Sequence, residues 1–146
     1  MVKKILCPVD GSDQSGKALE FAVDLAQRYP ARLELLFVTQ PLMTEDIFAM
    51  GTLAIPVDLP QEDLEQYGHK VLDKAEAIAR NQGLRDLGKS LRQGEPATTI
   101  VDYAADIDAD MIVIGSRGLG DLSSLLMGSV SHKVAHDANC TCVTVK

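Results

Sequence analysis

The residues from Ile112 to Ser131 are the most chemically suggestive part of this chain. An apolar run, Met111 to Ile114, breaks into Gly115, Gly118 and Gly120, and a second small pair, Gly128-Ser129, follows Gly118 after nine intervening residues. A strand that empties into a glycine-rich turn and then a helix is a phosphate site in waiting. Glycines let the backbone approach an anion, and the amide N–H groups of a helix start point at it. Arg117, between the glycines, can add a charge-assisted hydrogen bond. The spacing, G-x2-G-x9-G-[ST], differs from the dinucleotide pattern G-x-G-x-x-G, so it predicts another kind of nucleotide pocket with two separate glycine contacts on one ligand. A glycine in mid-helix costs about 1 kcal/mol relative to alanine. Gly128-Ser129 is therefore read as the point where the last helix proper begins, with Leu122 to Met127 as a helical lead-in and Ser129 and Ser131 at a fresh N-terminus facing the anion.

Asp10 is the other candidate. It ends an apolar run, Ile5 to Val9, and precedes Gly11-Ser12-Asp13. It could cap the helix that follows, but Ser12 and Asp13 can do that as well. A carboxylate at this place in an α/β sheet is read as a ligand group for a ribose hydroxyl, an amino group or a metal.

Other motifs are weaker. Gly83-Leu-Arg-Asp-Leu-Gly88-Lys89-Ser90 satisfies the P-loop expression G-x-x-x-x-G-K-[ST]. A P-loop needs a strand before it and a helix opening at the Lys-Ser. Here a long helical pattern precedes, and Gly94 and Pro96 follow too soon for a helix, so the match is rejected. His132 and His136 share a helix face, but no further zinc ligand accompanies them, and a solvated face is the reading. Cys140 and Cys142 are read as buried structural thiols on opposite faces of the last strand. No Ser-His-Asp or Cys-His set is recognisable, so no catalytic or metal-ligating residue is assigned.

The elements that must position these residues alternate regularly. Strands are expected at Ile5–Val9, Leu33–Val38, Leu87–Arg92, Met111–Ile114 and Cys142–Val145. Helices are expected from Asp13 to about Tyr29, with Leu19, Ala22, Val23 and Ala26 inward, and from Gln61 to Asn81, with Leu64, Tyr67, Val71, Ala75 and Ile78 inward and Gly83 as its cap. Two more are expected, one opened by Glu95-Pro96 and running to about Ile107, the other from about Asp121 to Asp137. Residues 39–60, with Pro41, Gly51, Pro56 and Pro60, read as a long loop. This β-α-β alternation predicts an α/β domain, a five-stranded parallel sheet with helices on both faces. Ligands in such sheets bind beyond the carboxyl ends of the strands where the strand order reverses, which brings Asp10 and Gly115 to one crevice.

Composition narrows the function. The 146 residues carry a net charge of −7, which argues against nucleic acid or an anionic membrane as partner. There is no Trp, with three Phe and three Tyr, so stacking platforms for single strands are not expected. No leader or membrane-length apolar run is evident, and three cysteines form no disulfide framework, so a cytoplasmic location is expected.

These residues resemble the universal stress protein family, in its nucleotide-binding branch, over nearly the whole chain. Ile5-Leu-Cys-Pro-Val-Asp-Gly-Ser-Asp-Gln-Ser15 is similar to the family's opening strand and turn. Ala109-Asp-Met-Ile-Val-Ile-Gly-Ser-Arg-Gly118 is similar to its fourth strand and first glycine pair, and Leu126-Met-Gly-Ser-Val-Ser131 to its second glycine segment. The resemblance implies one domain over 1–146, Rossmann-like and of the adenine nucleotide alpha hydrolase-like kind. It implies ATP as ligand, with magnesium as a companion. Gly115, Arg117 and Gly118 would line the phosphates, and Gly128, Ser129, Val130 and Ser131 would close over phosphates and ribose. Pro8, Val9 and Asp10 would line the adenine and ribose side, with Val38 against the base. It further implies a homodimer through the C-terminal strand, although Thr141 stands where the family usually has Pro. The expected function is ATP binding in a regulatory or stress-protective role rather than fast catalysis, with slow hydrolysis left open. The alternatives are a nucleotide-dependent adenylating enzyme and an interaction module without nucleotide.

Overall fold

The computed structural model describes residues 1–40, 61–117 and 128–146. The expected long loop beyond Gln40, the lead-in Leu122–Met127, and Gly118 and Gly120 lie outside the described residues. The elements run β1 (Lys4–Pro8), α1 (Asp13–Arg28), β2 (Arg32–Thr39), α2 (Gln61–Asn81), β3 (Leu87–Gln93), α3 (Pro96–Asp106), β4 (Met111–Gly115), α4 (Ser129–Asp137) and β5 (Thr141–Val145). The five strands form one parallel sheet in the order β3-β2-β1-β4-β5. The order runs backwards to β1 and forwards from β4, so the switch point falls between them.

Both faces of the sheet are buried, and alternate strand residues divide between two layers. Ile5, Cys7, Leu33, Leu35 and Val113 pack with Leu19, Ala22, Val23 and Ala26 of α1 and Leu72, Ala75 and Ala79 of α2. Leu6, Leu36, Ile112 and Ile114 pack with Ala97, Ile100 and Ala104 of α3 and Val134 of α4. Chain connections after β1 and β4 therefore leave the sheet towards opposite faces, and a crevice opens between them.

Local chemistry sets the helix ends. Ser12 caps α1 by accepting from the Ser15 N–H at 3.2 Å. Glu95 caps α3, accepting from the amides of Ala97 and Thr98, with Pro96 in the first turn. Gly83 closes α2 with φ +92°, a left-handed conformation that glycine adopts without strain.

Two expectations are corrected. The inner stripe of α2 is rotated from the predicted one: Gly68, Leu72, Ala75 and Ala79 are buried, whereas Tyr67 is 45% exposed. A Cβ at Gly68 would sit 2.6 Å from Phe37 and 2.7 Å from Leu91, so α2 lies against β2 and β3 along a line of small residues. Ala75 is buried and Val71 and Ile78 pack against the core as expected, but Gly68 and Ala79, which carry little hydrophobic signal, were missed. Cys140 and Cys142 also do not point to opposite faces. Both pack on the layer of Leu6, Ile112 and Val134, because residues two apart in an extended chain share a face.

Candidate functional site

The crevice at the switch point is a cleft of about 500 Å3. One wall is the exit from β1, where Pro8, Val9 and Asp10 follow one another. The far wall is the exit from β4, with Ile114, Gly115 and Arg117, continued by Gly128 to Ser131 at the start of α4. The end of β2 supplies Leu36, Phe37, Val38 and Gln40, and the first turn of α3 supplies Pro96 and Ile100. Every residue assigned to the nucleotide site from the sequence lines this one cleft except Gly118, which lies outside the described residues. Ser15, Phe37, Gln40, Pro96 and Ile100 were not anticipated. Pro96 was legible as a helix start, but only the sheet order brings α3 beside the end of β2.

Asp10 is held from three directions. Its Oδ1 accepts from the Ser12 N–H at 2.8 Å, its own N–H donates to Ser15 Oγ at 3.1 Å, and its carbonyl accepts from the Tyr67 hydroxyl at 3.4 Å. The carboxylate thus shapes the turn into α1 while Ser12 does the capping. The two readings of Asp10, turn former and cleft residue, coexist in one fixed rotamer.

The end of β2 presents backbone to the cleft. The Leu36 carbonyl accepts from the Val9 N–H at 2.8 Å, and Pro8, opposite Leu36, is the last β1 residue in register. The Thr39 carbonyl faces the other way and accepts from the Gly94 N–H of the loop after β3. Alternation along a parallel strand then turns the N–H and C=O of Val38 to the same side as those of Leu36, beyond the point where β1 has left.

The start of α4 differs from those of α1 and α3. Its cap is Gly128, which offers no side-chain acceptor to the first-turn amides. It is tied down through its own N–H, which donates to the Ser116 carbonyl at 2.6 Å. The buried Ser131 hydroxyl lies 2.8 Å from the same carbonyl and 3.0 Å from that of Gly128. The expectation that the Ser131 hydroxyl turns to an anion is therefore corrected: its proton serves the protein, joining α4 to the end of β4. Exposed Ser129 and the first-turn amides remain at the mouth.

Gly115 has a packing reason of its own. A Cβ there would lie 2.8 Å from the carbonyl carbon of Gln14, 2.9 Å from its oxygen and 3.0 Å from the Ser15 nitrogen. The glycine admits the first turn of α1 against the end of β4.

The rejected P-loop match is excluded by geometry. Gly88, Lys89 and Ser90 lie within β3, a sheet edge away from the cleft. Lys89 is engaged by Asp73 at 2.5 Å and Glu76 at 2.6 Å on α2. His132 and His136 are exposed, and among the described residues no group of three or more His, Cys, Asp or Glu could hold a metal ion. Burial pushes the Cys7 thiol up to about 12, so that residue is no thiolate nucleophile. No helix among the described residues is long and apolar enough to cross a membrane.

Comparison with known proteins agrees with this architecture. The model of the universal stress protein family matches residues 1–146. The chain belongs to the universal stress protein family. It is 34% identical to the universal stress protein YxiE of Bacillus subtilis, with both chains fully covered. A universal stress protein of Methanocaldococcus jannaschii is 32% identical, covering all of this chain and 83% of that one. Among solved structures, a universal stress protein in complex with cAMP superposes with a TM-score of 0.75 at 25% identity, covering 99% of this chain and 97% of the other. The universal stress protein from Archaeoglobus fulgidus in complex with dAMP superposes with a TM-score of 0.69 at 25% identity, covering 100% and 98%.

Proposed function

We propose that the cleft binds an adenine nucleotide, with ATP as the principal ligand, and that this universal stress protein uses nucleotide occupancy in a regulatory or stress-protective role rather than rapid turnover. One observation carries the reading: among the described residues, a single cleft has at one end a helix start without a side-chain cap and at the other the end of a strand that runs on past its neighbour β1. The amides at Gly128–Ser131 suit phosphate, since a helix N-terminus favours negative charge. At the other end, the Val38 N–H and C=O form a donor beside an acceptor. Adenine's edge, an N1 acceptor beside an N6 amino donor, complements that pair, and guanine's edge reverses it. Apolar Val9, Ile100 and Ile114 suit a base, and Asp10 suits a ribose hydroxyl. The cAMP and dAMP complexes of the structural relatives support the ligand class.

Magnesium would arrive on the nucleotide phosphates. Asp10 is the one carboxylate lining the cleft among the described residues, a donor set that suits a magnesium ion keeping most of its water and phosphate ligands. The same reading includes a homodimer through β5, which is a sheet edge with half-buried Val143 and Val145 on one face.

The test is calorimetry on nucleotide-free protein with ATP, AMP, cAMP and GTP, together with native mass spectrometry of the protein as purified. ATP should bind, and GTP should bind roughly tenfold or more weakly, because a reversed edge leaves buried polar groups unpaired. Equal affinity for GTP would refute the Val38 assignment, and no binding of any nucleotide would refute the function.

A further inference from the structure

Two elements that frame the cleft are joined by a polar link. Pro96 and Ile100, at the start of α3, form one side, and Gly128 to Ser131, at the start of α4, form another. Val130 packs against the apolar layer to which Ala97 and Ile100 belong. Above that contact, Lys133 Nζ of α4 reaches Glu95 Oε2 at 3.1 Å and Thr98 Oγ1 at 3.3 Å. Glu95 is itself fixed. Its Oε1 accepts from the Ala97 N–H at 3.1 Å, and its Oε2 from the Thr98 N–H at 2.8 Å and the Thr98 hydroxyl at 2.6 Å. Among the described residues this is the polar connection between α3 and α4.

We propose that the Glu95–Lys133 pair is a clasp that ties two walls of the cleft together from behind their lining residues, and that Lys133 is a positioning residue that sets how long a nucleotide stays bound. The inference rests on the nucleotide reading above. Lys133 follows the α4 turn by two residues, so its tether acts on that turn through one stretch of rigid helix. Glu95 immediately precedes Pro96, so the other end of the tether acts on the α3 wall. On this proposal nucleotide leaves as these walls part, and parting them breaks the clasp. The hydrogen bonds from Thr98 hold the Glu95 carboxyl down at about 2, with Lys133 adding to the effect, so the clasp stays charged at neutral and mildly acidic pH. Both side chains are 48% exposed, so salt rather than pH is the variable that loosens it.

The clasp is distinguishable from a general electrostatic effect. Lys133→Met removes a positive charge near an anionic ligand, and Glu95→Gln removes a negative one. Long-range electrostatics would move nucleotide affinity in opposite directions for the two variants. A broken clasp moves both the same way, towards faster release.

The experiment is stopped-flow release of the N-methylanthraniloyl ester of ATP from wild type, Lys133→Met, Lys133→Arg and Glu95→Gln at low and high salt. Native-state hydrogen exchange at Ala97–Ile100 and Val130–Ser131 is followed in the nucleotide-free proteins. Lys133→Met and Glu95→Gln should each release nucleotide roughly two- to fivefold faster at low salt, the range for an exposed ion pair. Lys133→Arg should restore slow release, and the differences should shrink at high salt. Exchange at both helix starts should rise together in the two clasp-breaking variants. Opposite shifts in the two variants, or unchanged release with unchanged exchange, overturn the clasp. A wild type that binds no nucleotide overturns the nucleotide reading and the residence-time claim with it, whereas coupled exchange would still report the contact itself.

Discussion

Replacing Gly115 by alanine separates two reasons for a glycine at the cleft. If it served only to let a phosphate approach, Gly115→Ala would leave the nucleotide-free protein as stable as wild type and damage binding alone. The structure gives a different result. The new methyl would stand 2.8–3.0 Å from backbone atoms of Gln14 and Ser15, and backbone in the first turn of a packed helix cannot swing aside as a side-chain tip can. Ala18, Leu19 and Ala22 of α1 are almost fully buried, so the helix has little room to withdraw. Overpacking of this kind costs typically 1–3 kcal/mol. For a chain of 146 residues, about 2 kcal/mol corresponds to a fall in melting temperature of roughly 6 °C. Thermal and urea unfolding of the nucleotide-free variant measures it directly. Gly16→Ala is the control in the same helix: a Cβ there meets nothing within 4 Å, so alanine should stabilise by about 0.5–1 kcal/mol. A Gly115→Ala protein that melts within about 1 °C of wild type would refute the close-packing argument.

Lys89→Ala should leave ATP affinity within about threefold and stability within about 1 kcal/mol, because its partners are partly exposed carboxylates on α2; calorimetry showing lost binding would restore the P-loop. The Glu95 carboxyl is held at about 2, below its ordinary 4.5, so its contribution is full above pH 4.5 and fades as pH falls towards 2. Urea unfolding of wild type and Glu95→Gln should therefore differ by up to about 1 kcal/mol near pH 7, given the exposure of the group, and converge near pH 2; a gap that widens in acid would contradict the assignment. Thr144→Pro should shift a dimer towards monomer in sedimentation, since the Val145 carbonyl accepts from the Ser116 N–H beside β4 and alternation then turns the Thr144 N–H to the open edge, where proline removes it; a wild type that is monomeric at high micromolar concentration would remove the edge-pairing proposal.

The sequence by itself determined the alternation of strands and helices, the caps at Ser12 and Gly83, the opening of α3 at Glu95-Pro96 and the start of α4 at Gly128-Ser129. These are local matters. Capping needs one acceptor three residues from one donor, and a buried parallel strand shows itself as a short apolar run. The same local logic excluded the P-loop at Lys89, because Gly94 and Pro96 follow Ser90 by only four and six residues, too soon for a helix opening at the Lys-Ser. The resemblance to the family, carried by spaced glycines, then pointed to most of the cleft residues. What depended on the tertiary structure involved atoms far apart in the chain. Gly115 is small because of Gln14 and Ser15, about a hundred residues away, and Gly68 because of Phe37 and Leu91. The Ser131 hydroxyl turns inward because the Ser116 carbonyl is there to receive it. Val38 shows its backbone to the cleft because β1 stops short of it, and Lys133 meets Glu95 only because the sheet order sets α4 beside α3. No periodicity encodes such pairings. They follow from a strand order and a register that exist only once the whole sheet has formed.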